Sequence, residues 1–404
     1  MKIAILSDNF YPELSGISDS IIALAKELAK LGHHIRFYVP KYSKKNFEIV
    51  NRPYQEINLG KNISIYRLPS IPFPGNTKQT RLVFPLGWAF KDLKKFAPDL
   101  IHTHLFFGVG IEALIASKLL KIPLIGTNHT NISAFIKHLP IKLPAINKLF
   151  LRCVSSYYNH CCFLSTPSQD LANEMKKYGL HGKIKILSNP IDLKSFKPAS
   201  SRLKGKIKKK SPVHSPTIIY AGRLSPEKNI NILLQAIAIV KQTIPKVTLA
   251  IAGHGTELTK LERLAKTLNL TNTVKFFGTL HQKKLSQFYQ TADIFVNPSD
   301  AETQSLTLMQ AMACELPVIG AKAKAFLEYI KDQETGLLIE TKNSNELAKA
   351  ILKLIKNPNL SKQLAKKAYQ YVQQFSAKKI AAKWENLYKN ILKCTIKNNE
   401  NHKP

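Results

Sequence analysis

The chain has 404 residues, and its 60 lysine and arginine residues outnumber its 26 acidic residues, which gives a formal net charge of +34. At roughly 150 residues per domain, the length predicts two or three domains, and 44% hydrophobic residues are enough to build their cores. The five cysteines form no CxxC pair, which disfavours a disulfide framework and a zinc site. Cys161 and Cys162 lie in an apolar run, which indicates buried thiols in a reducing compartment.

The sequence pattern predicts neither a signal peptide nor a spanning helix. Residues 1–8 have too few apolar positions before Asp8 for a leader, and they read as a first strand. The most apolar long window, Leu100–Leu120, is interrupted by charged residues and histidines and falls short of the roughly 18 uninterrupted apolar residues of a transmembrane segment. We therefore expect a soluble or surface-bound protein.

Short apolar runs alternate with helix-period stretches along the first half, which is typical of the βαβ units of a parallel sheet. From Ile17 to Leu31, apolar residues recur every three or four positions and are followed by Gly32, which predicts an amphipathic helix. The elements predict one Rossmann-like domain over residues 1–193. Its predicted strands are Lys2–Ser7, His34–Val39, Asp99–His102, Pro123–Thr127, Cys161–Thr166 and Lys183–Leu187.

A basic, proline-punctuated segment, residues 194–216, predicts an exposed linker. A second strand–helix alternation follows and predicts another Rossmann-like domain, counted with the linker as residues 194–376. After Gly336–Ile339 the pattern is helical, and we expect the last helix, about 377–393, to return to the first domain. The predicted strands before that point are Thr217–Ala221, Val247–Ala252, Val274–Gly278, Ile294–Asn297 and Pro317–Gly320.

Two cations follow the first strand of the second domain. Arg223 and Lys228 flank a short turn before a helix that opens near Asn229, and open α/β sheets bind ligands at such strand ends. Two cations beside free helix amides suit a diphosphate, although they could also be ordinary loop charges. The next strand ends in Gly253-His254-Gly255, but Leu258 stands where a dinucleotide fingerprint has its third glycine, which disfavours NAD binding.

A polar loop follows the strand Ile294–Asn297 and leads into a helix that begins near Ser305. Free amides at that helix start suit a distal phosphate, and the Glu302 carboxylate in the loop suits sugar hydroxyls. Gln310 follows about two turns into the helix.

Histidines end two neighbouring strands of the first domain. His102 and His104 close one strand, and Asn128 and His129 follow the next. Side-by-side histidines at the carboxyl edge of a sheet are unusual as core residues, which favours a functional rim over simple packing.

Several motifs in order give the chain a specific resemblance. It resembles the retaining glycosyltransferases of family GT4, which have the GT-B fold of two Rossmann-like α/β domains facing across a cleft, and the likeness runs through essentially the whole chain. The motifs that carry it are Pro12-Glu13-Leu14-Ser15-Gly16, Pro190-Ile191-Asp192 with Phe196, Gly222-Arg223-Leu224 with Glu227-Lys228, Gly253-His254-Gly255, Phe277-Gly278, and Glu302 to Gln310 with Ala311-Met312-Ala313-Cys314 and Pro317-Val318.

The resemblance implies roles for individual residues. It implies that Arg223 and Lys228 neutralise the diphosphate of a nucleotide sugar and that Glu302 contacts the donor sugar or its distal phosphate. His129 is expected to line the donor sugar, with His104 close to the acceptor. The resemblance implies a catalytic set of His129, Glu302, Arg223 and Lys228, an acceptor set of His104, Asn128 and His129, and a donor set of Gly16, Arg223, Lys228, Gly253, Glu302, Thr303, Gln304, Ser305, Leu306 and Gln310.

Three positions depart from the family pattern. Gln310 stands where relatives have a second glutamate that holds the ribose hydroxyls, which lowers the expected donor affinity although an amide still donates and accepts. His254 occupies an acidic position, and Asn189-Pro190-Ile191-Asp192 replaces an Asn-Gly-x-Asp turn. Both lie in loops, where we expect local effects.

The resemblance further implies a reaction without a metal or another cofactor, in which cations and helix dipoles offset the charge of the leaving diphosphate. The sequence agrees, because it contains no Asp-x-Asp motif. Transfer with retention is expected to proceed on one face, with the departing phosphate taking the acceptor proton.

The acceptor is predicted from the charge. The segment from Phe135 to Arg152 mixes apolar and cationic residues as an interfacial binder does, and Ser70–Gly75 has the same character, although such residues can also be core with solvated cations. The predicted membrane contacts are Lys137, Lys142, Lys148 and Arg152.

Within the family, Glu302-Thr303-Gln304 and the histidine pattern look most like diacylglycerol glucosyltransferases. We therefore expect a peripheral protein at the cytoplasmic face of an anionic membrane that moves a hexose, with UDP-glucose as the first candidate donor, to a lipid such as diacylglycerol. The alternative is a GDP-mannose-dependent mannosyltransferase acting on phosphatidylinositol or an envelope glycan. A basic nucleic-acid-binding protein is the non-enzyme alternative, but the sequence shows no RRM, KH or helix-turn-helix signature, and nucleic acid is not an expected partner.

Overall fold

The structure, a computed structural model, describes residues 1–73, 79–131, 144–200 and 216–400, excepting the side chains of 144, 145 and 395–400. It divides into two compact units: unit 1 comprises Met1–Pro190 and Ala377–Pro404, and unit 2 comprises Ile191–Ser376. Each unit is a parallel sheet with helices on both faces.

The strands of unit 1 are β1 (Lys2–Leu6), β2 (His34–Pro40), β3 (Ile63–Leu68), β4 (Ile71–Pro72), β5 (Arg81–Leu82), β6 (Leu100–Thr103), β7 (Leu124–Thr127), β8 (Phe163–Thr166) and β9 (Ile184–Ile186). Its helices are α1 (Gly16–Lys30), α2 (Lys44–Ile49), α3 (Phe90–Phe96), α4 (Gly108–Leu120), α5 (Pro144–Asn159), α6 (Gln169–Lys177) and, at the chain end, α14 (Ala377–Glu400).

Seven of these strands form one parallel sheet in the order β3-β2-β1-β6-β7-β8-β9, and β4 pairs with β5 in a small antiparallel ribbon. Alternate residues of β1 feed two separate cores, with Ile3 and Ile5 on one face and Ala4 and Leu6 on the other. The period of two explains why a buried parallel strand is apolar throughout. The strand order reverses direction between β1 and β6.

The final helix, α14, contributes to the first of these cores. Ile380, Ala381, Trp384 and Tyr388 are at most 3% exposed and pack in the same cluster as Ile3 and the α1 residues Ile21, Leu24 and Leu28. Unit 1 is therefore completed by residues from the far end of the sequence.

The strands of unit 2 are β10 (Thr217–Ala221), β11 (Thr248–Ala252), β12 (Val274–Phe276), β13 (Ile294–Asn297), β14 (Val318–Ala321) and β15 (Leu337–Ile339). They form one parallel sheet in the order β12-β11-β10-β13-β14-β15. Successive strands are added on one side of β10 up to β12 and then on its other side from β13 to β15. Its helices are α7 (Ile230–Thr243), α8 (Leu258–Thr267), α9 (Gln282–Thr291), α10 (Leu306–Ala313), α11 (Phe326–Tyr329), α12 (Ser344–Lys356) and α13 (Pro358–Val372).

Two sequence expectations need correction, and one strand of the main sheet was not predicted. The predicted linker does not begin at Lys194, because Phe196 is 4% exposed and packs against the ring of Tyr289 at 5.9 Å in the core of unit 2; residues 201–215 lie outside the described part. Cys161 is buried as expected, but Cys162 is exposed. The sequence interpretation also missed β3, an edge strand whose mixed apolar and polar residues are half exposed.

Candidate active site

Polar loops follow β10 and β13, the two neighbouring strands of unit 2 between which the strand order reverses. β10 ends at Ala221 and β13 ends at Asn297, and the two strands are paired in parallel. Ligands of open α/β sheets bind outside the carboxyl ends of the strands at such a switch point. The position of these two loops therefore identifies the first candidate site.

An ion pair joins the two loops. The Lys228 Nζ atom lies 2.8 Å from Oε1 of Glu302, and each side chain is 13% exposed. The Asn297 amide donates to the same Glu302 oxygen at 3.4 Å and to the Ser305 hydroxyl at 3.1 Å. The structure thus brings together a predicted diphosphate cation and the predicted sugar-binding acid, and each neutralises the other in a poorly hydrated place.

Further hydrogen bonds fix the turn that carries Lys228. The Asn229 amide donates to the carbonyl of Pro298 at 3.2 Å, and the Ser299 hydroxyl donates to the carbonyl of Glu227 at 3.2 Å. The turn is a short 3₁₀ helix over Pro226–Lys228, and it is tied to the loop after β13 on both sides of the ion pair. Lys228 therefore has little freedom to move its backbone.

Arg223 and the glycines lie beside this turn. The Arg223 side chain is exposed, and its carbonyl accepts a hydrogen bond from the Tyr220 hydroxyl at 2.9 Å. A Cβ atom on Gly253 would lie 1.8 Å from the carbonyl oxygen of Gly222, and one on Gly255 would lie 2.2 Å from that of Leu224. Close backbone packing therefore requires both glycines, and a donor contact by Gly253 stays a prediction.

The N-terminus of α10 opens beside Glu302. The Ser305 hydroxyl caps the helix by accepting from the amide of Leu308 at 3.4 Å, while Leu306 and Thr303 are half buried. Gln304 is buried, and its amide donates to the sulfur of Met309 at 2.9 Å. The Gln304 side chain thus packs against α10, and a donor contact by Gln304 stays a prediction.

Gln310 has a partner that the sequence interpretation missed. Its Oε1 atom accepts from the hydroxyl of Tyr289 at 3.1 Å, and both side chains are buried. Burial raises the pKa of Tyr289 well above its usual value, so the phenol remains a donor. The Oε1 atom of Gln310 thus already has a hydrogen-bond donor within the protein.

Three histidines form a buried stack at the carboxyl edge of the sheet in unit 1. The Nδ1 atom of His104 lies 2.9 Å from Nε2 of His129, and the rings are stacked with centroids 5.2 Å apart. The ring of His102 lies 4.0 Å from that of His104. The structure therefore confirms that the strand-end histidines of β6 and β7 lie together, as their sequence positions indicated.

The histidines are held in the uncharged form. Burial lowers the pKa of His129 to about 4, against a hydrogen bond with Asn189 that favours the charged form. Burial also lowers the pKa of His102 to about 3 and that of His104 well below its usual value, with neighbouring histidines adding to the effect. At neutral pH the stack can exchange hydrogen bonds with hydroxyl groups without carrying charge.

The stack is supported from α14. His102 Nδ1 lies 2.7 Å from the Tyr388 hydroxyl, Nε2 lies 2.7 Å from the Thr127 hydroxyl, and the Trp384 ring lies 4.5 Å from the imidazole. The sequence offered no signal for this contact, because Tyr388 and His102 are separated by 286 positions.

The other predicted residues of unit 1 have different surroundings. Gly16 is the exposed first residue of α1, directly after the capping residue Ser15. Asn128 is fully buried; its Oδ1 accepts from the amide of Thr130 at 3.0 Å and its Nδ2 lies 3.2 Å from the Met175 sulfur. Asn128 therefore holds the loop after β7, and an acceptor contact by Asn128 stays a prediction.

A basic cleft lies on the surface of unit 1, between α5 and α6. Its volume is about 350 Å³, and its cations are Arg152, Lys176 and Lys177. Lys148 is exposed on the same helix as Arg152, together with Leu149 at 61% exposure. The other two predicted membrane contacts, Lys137 and Lys142, lie outside the described residues.

The described residues show neither a metal cluster nor a spanning helix. No cluster of three or more histidine, cysteine, aspartate or glutamate side chains suited to a metal ion occurs in the described part of the chain. Among the helices that the structure describes, none combines the length and the apolar character needed to cross a bilayer.

Comparison with known proteins identifies the family. Residues 14–195 match the model of Glycosyltransferase Family 4, and residues 202–371 match that of Glycosyl transferases group 1. The chain belongs to glycosyltransferase family 4. This glycosyltransferase is 26% identical to an alpha-monoglucosyldiacylglycerol synthase of Acholeplasma laidlawii over 97% of its own length and 98% of that enzyme.

Other relatives show the breadth of the family. A GDP-mannose-dependent alpha-mannosyltransferase of Mycobacterium tuberculosis is 25% identical over 84% of each chain. Among solved structures, Anabaena Alr3699/HepE in complex with UDP-glucose aligns with a TM-score of 0.77 and 22% identity over 96% of this chain and all of that one. Together with the two parallel-sheet units, these matches confirm the GT-B fold and a hexosyltransferase activity.

Proposed function

We propose that this glycosyltransferase moves a hexose, with glucose as the first candidate, from a UDP-sugar to the hydroxyl group of a membrane lipid such as diacylglycerol. The observation that carries the proposal is the Lys228–Glu302 ion pair at the switch point of unit 2. The end-to-end likeness to an alpha-monoglucosyldiacylglycerol synthase supports the choice of acceptor.

The ion pair suits an anionic donor. Lys228 and Glu302 neutralise one another across 2.8 Å. A diphosphate beside the ammonium group would form charge-assisted hydrogen bonds with it, and the carboxylate would accept hydrogen bonds from sugar hydroxyls. Arg223, exposed beside the turn, adds a second cation. The N-terminal amides and dipole of α10 favour negative charge at the same edge of the sheet.

We infer transfer with retention and without a metal. The bond between the anomeric carbon and the diphosphate oxygen breaks, the acceptor oxygen bonds to the same face of that carbon, and the acceptor proton passes to the departing phosphate. Lys228, Arg223 and the α10 amides stabilise the charge that develops on the leaving group. His129, uncharged at neutral pH, serves as a hydrogen-bonding partner of hydroxyl groups.

The second candidate is a GDP-mannose-dependent mannosyltransferase, because the Mycobacterium tuberculosis enzyme of that kind aligns over 84% of the chain. One assay decides between the two. The purified protein is incubated with UDP-glucose, UDP-galactose, UDP-GlcNAc or GDP-mannose and vesicles that contain diacylglycerol or phosphatidylinositol, and the lipid products are identified by mass spectrometry.

Hexosyl-diacylglycerol formed from a UDP-sugar is the expected product. Mannosylated phosphatidylinositol formed from GDP-mannose would establish the second candidate instead. A thermal-shift comparison of UDP with GDP gives an independent reading of the preferred nucleotide, because a ligand that binds the folded protein raises its melting temperature.

A further inference from the structure

A short apolar loop of unit 1 is exposed although it is tightly held. Residues 84–88, here called the Phe84–Trp88 loop, connect β5 to α3. Its three large apolar side chains are exposed, Phe84 by 52%, Leu86 by 72% and Trp88 by 43%. Apolar surface concentrated in this way marks an interaction site more often than scattered exposed residues do.

A buried carboxylate fixes one end of the loop. The amides of Gly87 and Trp88 donate to Oε1 of Glu112 at 2.7 and 3.1 Å, and the amide of Ala89 donates to Oε2 at 3.2 Å. Glu112 is 1% exposed and lies on α4. Three charge-assisted hydrogen bonds to one carboxylate define the backbone of the loop on this side.

The other end of the loop is fixed to the same helix. Val83 is fully buried, and its carbonyl oxygen approaches Gly108, the first residue of α4, so closely that a Cβ atom there would lie 1.7 Å away. Within the loop, the amide of Leu86 donates to the carbonyl of Phe84 at 2.9 Å. Because both ends of the loop are anchored on α4, its backbone is already ordered before a partner binds. Little conformational entropy is therefore lost when a partner buries the apolar side chains.

Cations adjoin the loop. The next element, α3, carries exposed Lys91, Lys94 and Lys95, and none of them forms an ion pair with another described residue. Asp92, the acidic residue of this helix, forms its ion pair with Arg36 instead, with 2.9 Å between Oδ2 and Nη1. A tip of aromatic and aliphatic side chains beside lysines matches the interface of an anionic bilayer, where tryptophan is favoured and cations meet acidic headgroups.

We propose that the Phe84–Trp88 loop is a preformed element that inserts into the interface of an anionic lipid bilayer, supported by Glu112. The proposal rests on the proposed function, because a lipid acceptor brings the protein to a bilayer. It adds a defined contact: Trp88, Leu86 and Phe84 enter the lipid, while the lysines of α3 bind the headgroups.

Tryptophan fluorescence tests the insertion, because the chain contains two tryptophans and Trp384 is 3% exposed in the core of unit 1. The full chain is mixed with vesicles of phosphatidylcholine and phosphatidylglycerol in which part of the phosphatidylcholine is brominated on its acyl chains. Vesicle binding is expected to blue-shift the emission of the wild type, and brominated lipid is expected to quench it, while the emission of Trp88→Phe stays unchanged. Wild-type emission that stays unquenched while the protein sediments with the vesicles overturns the proposal.

A pair of leucine variants provides a matched control. Leu86 in the loop is 72% exposed, and Leu119 on α4 is 65% exposed but lies seven residues, about 10 Å along the helix axis, beyond Glu112. We expect L86S to raise the lipid concentration needed for half-maximal binding about tenfold, because it removes an apolar side chain that leaves water for lipid, and L119S to change it less than about twofold. Equal effects of the two variants contradict a specific role of the loop.

The binding assays contain neither donor nor diacylglycerol, so their result is separate from that of the transfer assay. Quenching of Trp88 without hexosyl transfer to any lipid supports this inference and contradicts the proposed function. Transfer to lipid by a protein whose Trp88 stays unquenched on vesicles supports the proposed function and contradicts this inference.

Discussion

Lys228 shows how much of the candidate site depends on single side chains. Its ammonium group is partnered by Glu302 in a place where each side chain is 13% exposed. The same pair would have to open when a diphosphate binds, so its strength is part of the donor affinity. Motif spacing predicted both residues, but it could not show that their side chains contact each other.

We predict that Lys228→Ala lowers kcat/KM for the nucleotide sugar by about 10²–10³-fold, because it removes one stabilising group of the leaving diphosphate. The matched control is Lys322→Ala, which breaks a pair with Glu340 of the same 2.8 Å length but with 41% and 59% exposed side chains. Such an exposed pair contributes little, and steady-state kinetics of this variant should stay within about twofold of wild type. A Lys228→Ala enzyme with wild-type kinetics would refute the site.

The histidine stack predicts a pH dependence of stability. The pKa of His102 is lowered to about 3 and that of His129 to about 4, against about 6.5 in an unfolded chain. The unfolded chain therefore binds more protons below pH 6.5, and the free energy of unfolding falls from there towards pH 4, by up to about 1.4 kcal/mol per pH unit for each histidine.

We expect the thermal midpoint of His102→Phe to fall less steeply between pH 6.5 and 4 than that of wild type, even if its midpoint at pH 7.5 is lower. His160→Asn is the control, because it removes one exposed histidine that lies outside the buried stack. Parallel curves for wild type and His102→Phe would show that His102 is not the titrating group. Differential scanning calorimetry at several pH values measures the slopes.

Most secondary-structure elements follow from the sequence. The strands Thr217–Ala221 and Ile294–Asn297 have the predicted bounds, because a strand buried on both faces is a continuous apolar run between turn residues. β3 was missed because its alternate residues are exposed, and Phe196 was assigned to a linker because a single aromatic among lysines gives no periodic signal. Contacts such as Tyr388 with His102 depend on tertiary packing, which no local pattern encodes.

The helix α14 provides a prediction at this scale. We expect a chain that ends at Ser376 to lose the cooperative thermal unfolding of unit 1, because Ile380, Trp384 and Tyr388 leave a large gap in its core. Loss of one buried tryptophan side chain alone costs about 3–5 kcal/mol. A chain that ends at Cys394 keeps every described core residue of this helix and should unfold as wild type. Circular dichroism melting compares the two, and a cooperative transition in the shorter chain would contradict this role of α14.

For the whole molecule, the net charge of +34 is read directly from the sequence, but the sequence does not show what the charge is for. The fold and family were predictable from motif order, because each motif occupies a strand end whose chemistry is readable from its residues. The function of the charge was not, since sequence alone does not distinguish a solvated surface from a binding surface. The structure adds a location, because the basic cleft gathers Arg152, Lys176 and Lys177 around one cavity.

Because the basic cleft has a defined position, charge-reversal variants can distinguish lipid binding by the cleft from lipid attraction by the net charge of the whole protein. We expect the triple variant R152E/K176E/K177E to bind phosphatidylglycerol vesicles at least about tenfold more weakly at 0.1 M salt, because each basic residue near an anionic surface contributes about 1 kcal/mol. The control reverses Lys362, Lys366 and Lys367, which are exposed on α13 of unit 2, and it changes the net charge by the same amount.

If net charge alone attracted the protein to lipid, both triple variants would weaken binding equally. Binding that depends on the basic cleft predicts a large loss for the first variant and a small one for the second. The wild-type interaction should also fall as salt rises from 0.1 to 0.5 M, since screening shortens the reach of surface charges to a few ångströms. Vesicle sedimentation measures all three proteins, and retention of the wild type on RNA with equal strength would favour a nucleic-acid partner instead.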